Sequence, residues 1–215
     1  HVAWVANRAH HADVGGEAPG SMPAHATTVD QEGHRVPPTL AISEGAWHED
    51  FVGPFVDASR TPWERRGDLD AQMGSNAVAV ERVEALIERE GLDHYRAVTE
   101  ALLAYGERRM EAALAALPSG TFAFEDVLEL AEQDVAIRVR IHIGDGSLRA
   151  DFTGSDPQVS ANINAVEAVT RSCLYYAVRV ATDPTIPANG GCYRPLALHA
   201  PVGSVVNAQP PAAVA

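Results

Sequence analysis

Apolar positions along the chain change period several times, and each change marks an element. From Asp68 they fall at three- and four-residue steps, through Leu69, Met73, Ala77, Val80, Val83 and Ile87, the spacing of one helix face. Gly91 is a natural stop. Asp93 is placed to cap a second helix that carries Tyr95, Val98, Leu102, Tyr105, Met110, Leu114 and Leu117 and ends at Pro118-Ser119-Gly120. The short link between them predicts an antiparallel helical hairpin over about residues 68–117. At Val135 the period drops to two: Val135, Ile137, Val139, Ile141 and Ile143 alternate with Ala136, Arg138, Arg140 and His142, as in a half-buried strand. Gly144-Asp145-Gly146-Ser147 supplies a turn, and Leu148, Ala150 and Phe152 continue the inward face, so a β-hairpin is expected over about 135–153. Ile163, Val166, Val169, Cys173, Ala177 and Val180 predict a third helix over about 162–182, with Asn162 as its cap.

The flanks are less regular. Residues 1–12 suggest a buried strand running into the turn Asp13-Val14-Gly15-Gly16. From there to about Pro62, glycine and proline punctuate short apolar pieces, the pattern of a functional surface laid on a scaffold. Residues 184–215 are rich in proline and glycine, with short strands such as Leu196–His199. The mixed order predicts an α+β fold in one domain. Its parts are a strand and loop-rich region over 1–62, the helical hairpin over 63–118, and the β-hairpin, helix and short strands over 119–215. Neither end carries a polar tail, so the 215 residues are expected to be an internal piece of a longer protein.

Composition narrows the function. Hydrophobic residues at 46% and charged residues at 21% are those of a folded globular chain. The formal net charge of −13 argues against nucleic acid and anionic membranes as partners, and no apolar run is long enough to span a bilayer. All 16 basic residues are arginine, which removes Schiff-base chemistry and the lysine of a phosphate-binding loop. Two cysteines, Cys173 and Cys192, make neither a disulfide framework nor a cysteine-rich zinc site, and a reducing, cytoplasmic setting is expected.

The densest chemistry lies in Ala6-Asn7-Arg8-Ala9-His10-His11-Ala12-Asp13-Val14-Gly15-Gly16. Imidazole and carboxylate are the usual ligands of borderline divalent metals. On a regular strand His11 and Asp13 share a face; with the strand already broken, His10 and Asp13 do so equally well. The bland alternative is a pair of surface histidines beside an Asp-initiated turn. His25, His34 and His48 follow in the loop region, each a further ligand candidate or an ordinary loop histidine. Glu32, before Gly33 and the Pro37-Pro38 pair, is a candidate general base or ligand, or a plain turn acid. Further on, Asp151–Gln158 and Asn189–Pro195 place polar groups at turns. There Arg194 could clamp a carboxylate or phosphate, and Cys192 has no histidine nearby in sequence. The pairs Arg65-Arg66 and Arg108-Arg109 are expected on solvated helix faces or partner contacts.

Several runs together resemble the hydantoinase B / 5-oxoprolinase family, B-type subunits or domains with relatives in acetone and acetophenone carboxylases. They are Ala6–Gly16, Pro19–Pro23, Gln31–Gly33 with Pro37-Pro38, Arg66–Leu69, Tyr105–Met110, Asp151–Gly154 with Gln158, Asn164, and Asn189–Pro195. The resemblance implies an ATP-dependent, ring-opening amidohydrolase of cyclic amides. In it an A-type partner, as a separate subunit or a fused domain, uses ATP to phosphorylate a lactam or hydantoin carbonyl, and the B-type part completes the conversion. It implies a divalent metal, zinc or manganese, on His10 or His11 and Asp13, joined by a histidine and an aspartate upstream of this sequence. Asp13 and Glu32 are then the catalytic candidates, ATP sits on the partner, and the assembly is a hetero-oligomer. A carboxylase subunit and a non-catalytic assembly module of the same fold are the other readings.

Overall fold

In the computed structural model, which describes residues 1–20, 23–130 and 133–214, an α+β arrangement is observed. A two-residue pair of strands, β1 (Ile42–Ser43) and β2 (Ala46–Trp47), precedes helix α1 (Glu49–Asp57). Two long helices follow, α2 (Pro62–Glu90) and α3 (Leu92–Ala115), joined at Gly91 alone. Strands β3 (Gly120–Glu129), β4 (Asp134–Gly144) and β5 (Ser147–Asp151) come next, then α4 (Glu167–Ala181) and β6 (Leu196–His199). The sheet order is β3-β4-β5-β6; the first three strands are antiparallel and β6 runs parallel to β5. No helix among the described residues is long and apolar enough to cross a membrane.

The main core lies where α3 and α4 meet the sheet. Met110 and Leu114 from α3, Leu148 and Ala150 from β5, and Leu174 and Val178 from α4 close over Cys192 and Leu196. A second cluster joins α1 to α2 through Val52, Phe55 and Leu69. A third ties Val135 of β4 to Val205 and Val206. The carboxy-terminal stretch is held by the buried amide of Asn164, which donates to the carbonyls of Val159, Ala161 and Ala213 and accepts from the Val159 N–H. Asn162 donates to the Pro23 carbonyl. It is thus a clamp on the early loop rather than the cap of α4, which Val166 precedes directly.

Several expectations need correction. Residues 1–11 form no strand and lie mostly exposed, because a strand needs a partner for its ladder hydrogen bonds and no described segment supplies one. Helix α1 and strand β3 were not anticipated. Gly53 and Pro54 interrupt the apolar pattern of a nine-residue helix. β3 is an exposed edge strand, so neither of its faces had to be apolar throughout. The face of α4 is turned by one residue: Thr170, Leu174 and Val178 are buried, whereas Val169, Cys173 and Val180 are exposed. The Thr170 hydroxyl sets that face by donating to the Val206 carbonyl at 2.7 Å. Along α2 and α3 the anticipated stripes are buried only where a layer covers them, at Leu69, Met110 and Leu114; Val80, Val98, Leu102 and Tyr105 stay exposed. Gly91, not Asp93, stands at the N-cap of α3, with φ +83°.

Helix α3 and the short 3₁₀ turn Gly190–Tyr193 approach each other closely. Asn189 caps that turn by accepting from the N–H groups of Gly191 and Cys192, and its amide donates to the Leu102 carbonyl. A Cβ on Gly191 would stand 1.8 Å from the Leu103 carbonyl oxygen, whereas one on Gly190 would meet only Leu103 Cδ2 at 3.8 Å. Gly191→Ala is therefore expected to lose on the order of 3 kcal/mol by forcing the turn off the helix. Gly190→Ala should stay near wild type; chemical denaturation of the two variants checks the contrast.

Candidate active site

Three loops build the site. The turn after His11 and the segment around Gly33 meet in an antiparallel bridge between Gly15 and Gly33, reinforced by the His34 N–H on the Val14 carbonyl and the Glu17 N–H on the Gln31 carbonyl. Gly15 has φ +84°, and a Cβ there would fall 2.3 Å from the Ala58 carbonyl oxygen, so only glycine allows the approach. The carboxy-terminal strip closes the third side, with the Val29 N–H on the Pro211 carbonyl and a Thr28–Ala212 bridge.

Asp13 is buried at this corner and fully engaged. One oxygen accepts from the Arg60 backbone N–H at 2.7 Å, the other from the Arg60 guanidinium at 2.7 Å and the Gly15 N–H at 3.0 Å. These donors, the Arg60 backbone N–H foremost, hold its carboxyl below the usual aspartate range. Arg60 also donates to the Gly16 carbonyl, so the pair ties the turn to the segment that opens α2.

A cavity of about 410 Å³ lies beside the Gly15–Gly33 bridge, lined by Arg8, His10, His11, Glu32, His34 and Arg35 among others. Glu32 is buried in its wall with Oε1 unpartnered. Burial pushes its carboxyl up from the ordinary value, only partly offset by the Val214 backbone N–H. His11 packs edge-on against Phe55, and its Nδ1 has no hydrogen-bond partner; the nearest carboxylate oxygen, on Asp68, is 3.6 Å away. His10 is exposed on the cavity rim.

The structure therefore brings His10, His11 and Glu32 to one cavity, and Asp13 is not among its lining residues. Among the described residues no three His, Cys, Asp or Glu side chains stand close enough to hold one ion, where three or more protein ligands are usual. These residues do not fit a complete metal centre. His11, with its unpartnered ring nitrogen, is one donor they offer. Of the other histidines, His34 reaches the cavity, His48 pairs with the Ser43 hydroxyl, and His25 is exposed.

The remaining polar motifs find partners within the fold. Arg194 pairs with Glu107 at 2.7 Å, and Cys192 lies in the main core with the Arg179 guanidinium 3.8 Å from its sulfur. Asp151 accepts from the Thr153 N–H, and Asp156 from the Ala136 N–H. Arg65 is not solvated as expected, whereas Arg109 is partly exposed. Arg65 is buried, pairs with Asp68 at 3.1 Å and keeps Nε and Nη1 unpartnered; Arg109 is bound by Asp183 and Tyr105. Sequence reasoning missed Arg60 and Asp68 as supports of this corner. The signal for Asp68 was its place three residues after Arg65 on a helix. Ser21 and Met22 of the Pro19–Pro23 run, and Ala215, lie outside the described residues.

Because Asp13 is an acceptor for several donors, Asp13→Ala is expected to cost about 2 kcal/mol of stability near neutral pH. The sign with pH follows from its lowered value. The carboxylate's contribution is complete above the ordinary aspartate pKa, about 3.9, and is lost as pH falls through the lower native one. Denaturation midpoints of wild type and variant should converge below about pH 3.9; a gap that stays constant with pH would show that the ionised form contributes nothing.

Comparison with known proteins agrees with this architecture. Residues 1–215 match the Hydantoinase B/oxoprolinase family. An uncharacterized protein of Methanocaldococcus jannaschii is 35% identical over 99% of this chain, which covers 38% of that protein. The 5-oxoprolinase of Saccharomyces cerevisiae is 30% identical over 99% of this chain and 18% of its own length. The crystal structure of the ATP-dependent caprolactamase from Pseudomonas jessenii superposes with a TM-score of 0.87 at 28% identity, covering 93% of this chain and 35% of that one. The chain thus spans less than two-fifths of these relatives. With the whole of its length aligned and its fold shared, the chain belongs to the Hydantoinase B/oxoprolinase family.

Proposed function

We propose that this chain is part of the B-type, hydrolytic half of an ATP-dependent ring-opening amidohydrolase, and that Glu32 is its general base. The observation that carries the reading is a buried glutamate with one unpartnered oxygen in the wall of a cavity shared with three histidines. A carboxyl pushed upward by burial is a stronger base once ionised, and the Glu32 Oε1 has no hydrogen-bond partner within the fold. Support for ATP dependence comes from the likeness to a caprolactamase described as ATP-dependent, and for lactam chemistry from the relatives called 5-oxoprolinase and caprolactamase.

Phosphorylation of the lactam oxygen by an A-type partner makes the ring carbon electrophilic. Water then adds to that carbon while its proton passes to the Glu32 carboxylate. The ring C–N bond breaks, the nitrogen takes up a proton, and an acyl phosphate remains; a second water releases inorganic phosphate and the amino acid. The chain has no lysine for a phosphate-binding loop, consistent with ATP held on the partner. A divalent cation, zinc or manganese, would need donors beyond the His10 or His11 ring that these residues offer, and would polarise the amide carbonyl.

The test is ATP-dependent ring opening by the full-length protein with its A-type partner, assayed on 5-oxoproline, caprolactam and hydantoin. Release of ADP together with a ring-opened amino acid is expected. ADP release that requires bicarbonate and a ketone would move the protein to the carboxylase branch, and no turnover on any of these would favour an assembly module. Glu32→Gln should lower kcat by about 10²- to 10⁴-fold. In wild type kcat/KM should rise with pH through a value above the ordinary glutamate range, since the base must be ionised. Arg8, Arg35, His10, His11 and His34 face the same cavity, so the diagnostic is that this limb disappears in Glu32→Gln.

A further inference from the structure

The segment that carries His10 and His11 belongs to no strand, and helix α2 holds it instead. Arg65, Asp68, Gln72 and Asn76 recur at three- and four-residue steps and so share one face of α2. The Asn7 amide donates to the Gln72 carbonyl at 2.7 Å and to Asn76 Oδ1 at 2.8 Å, and accepts from the Gln72 amide at 2.9 Å. One turn earlier on the helix, Asp68 Oδ2 lies 3.6 Å from His11 Nδ1. Among the described residues it is the one carboxylate within ion-pairing distance of that ring. Arg65, itself buried, holds the same oxygen at 3.1 Å. With the segment pinned in this way, His11 packs edge-on against Phe55, while His10 lies exposed on the cavity rim.

A neighbouring carboxylate selects which imidazole nitrogen carries the proton. The hydroxyls beside His48 and His142 can donate or accept and leave that choice open, whereas an ionised carboxylate only accepts. At 3.6 Å the contact is longer than a hydrogen bond, so Asp68 acts on the ring by charge. A bare Nδ1 facing it would set a lone pair against a negative oxygen; a protonated Nδ1 is attracted. Nδ1 is also sealed from solvent, while Nε2, at the far edge of the ring, is not, and the ring lines the Glu32 cavity. We propose that Asp68, held by Arg65, is a positioning residue that keeps His11 in its Nδ1–H form and so presents Nε2 to the cavity as an acceptor. His11, not its neighbour His10, is then the histidine set for use there. The nitrogen left bare is decided by what the other nitrogen faces. An acceptor in this cavity takes a hydrogen bond from one hydrogen of a water whose other hydrogen passes to Glu32, which leaves a lone pair of the water for the substrate carbon. An Nε2–H group would instead occupy that lone pair. The use of the acceptor rests on the hydrolytic reading of the cavity; the tautomer does not.

The experiment is nitrogen NMR of the full-length protein labelled at the histidine rings, at about pH 9, where ordinary imidazoles are neutral. The His11 signals are identified by their loss in His11→Gln. Wild-type His11 is expected to show a protonated Nδ1 and a bare Nε2. In Asp68→Ala its pattern should move to the Nε2–H form that histidine favours in water. Asp70→Ala, on the same helix but bonded to Trp47 and Arg66, should leave it unchanged. An Nε2–H form in wild type overturns the proposal, and this arm needs no variant of the helix to fold. A tautomer that stays the same in a folded Asp68→Ala overturns it as well. In ring opening with the A-type partner, Asp68→Ala should lower kcat about 10- to 100-fold with KM little changed. A fall in kcat without the change of tautomer would leave Asp68 a structural residue only and sink the positioning role. Absence of ring opening in wild type, with the tautomer and its dependence on Asp68 as expected, would refute the hydrolase reading and leave the Asp68–His11 pair standing.

Discussion

The site depends on the burial of one carboxylate, Asp13, at the corner where three segments meet. A buried carboxylate persists in its ionised form only when donors surround it, and here Arg60 and Gly15 provide them. That requirement draws the turn after His11 onto the segment leading into α2. The Gly15–Gly33 bridge then draws the Glu32 loop onto the same turn. With both in place, His11 lies against Phe55 of the α1–α2 cluster, and the cavity acquires its wall.

The same burial acts in opposite directions on the two acids. Asp13 meets a guanidinium and backbone N–H groups, so its proton affinity falls. Glu32 meets little beyond the Val214 N–H, so its proton affinity rises. Two carboxyl groups a short chain distance apart are thereby sorted into one clamped by donors and one left largely without them. This is the pattern by which environments divide acid and base duties between like residues. The histidines are sorted in the same way: His48 is satisfied by Ser43, whereas His11 retains an unpartnered nitrogen in the cavity wall.

Much of the scaffold was legible from periodicity. The two long helices, the β4–β5 hairpin and α4 all lie about where the apolar spacing put them, each with at least part of one face against a neighbouring layer. The α4 face was misjudged by one position. Thr170 counts as polar in a pattern, but its hydroxyl is satisfied by the Val206 carbonyl and so goes inward. The exposed mid-sections of α2 and α3 show the converse, that an apolar stripe is buried only where something packs on it. At the site, His10, His11, Asp13 and Glu32 were all visible as residue types able to do chemistry. Their division was not, since the partner that occupies Asp13 is 47 residues away.

By itself the sequence determined the α+β class, the family and the residues from which a site could be made, because these follow from local spacing and from residue types in order. Which carboxyl is clamped, which is left free, and which histidine is packed inward were decided only by the tertiary structure. Proton affinity and charge pairing depend on distances between segments that are remote along the chain, and those distances exist only once the loops have closed.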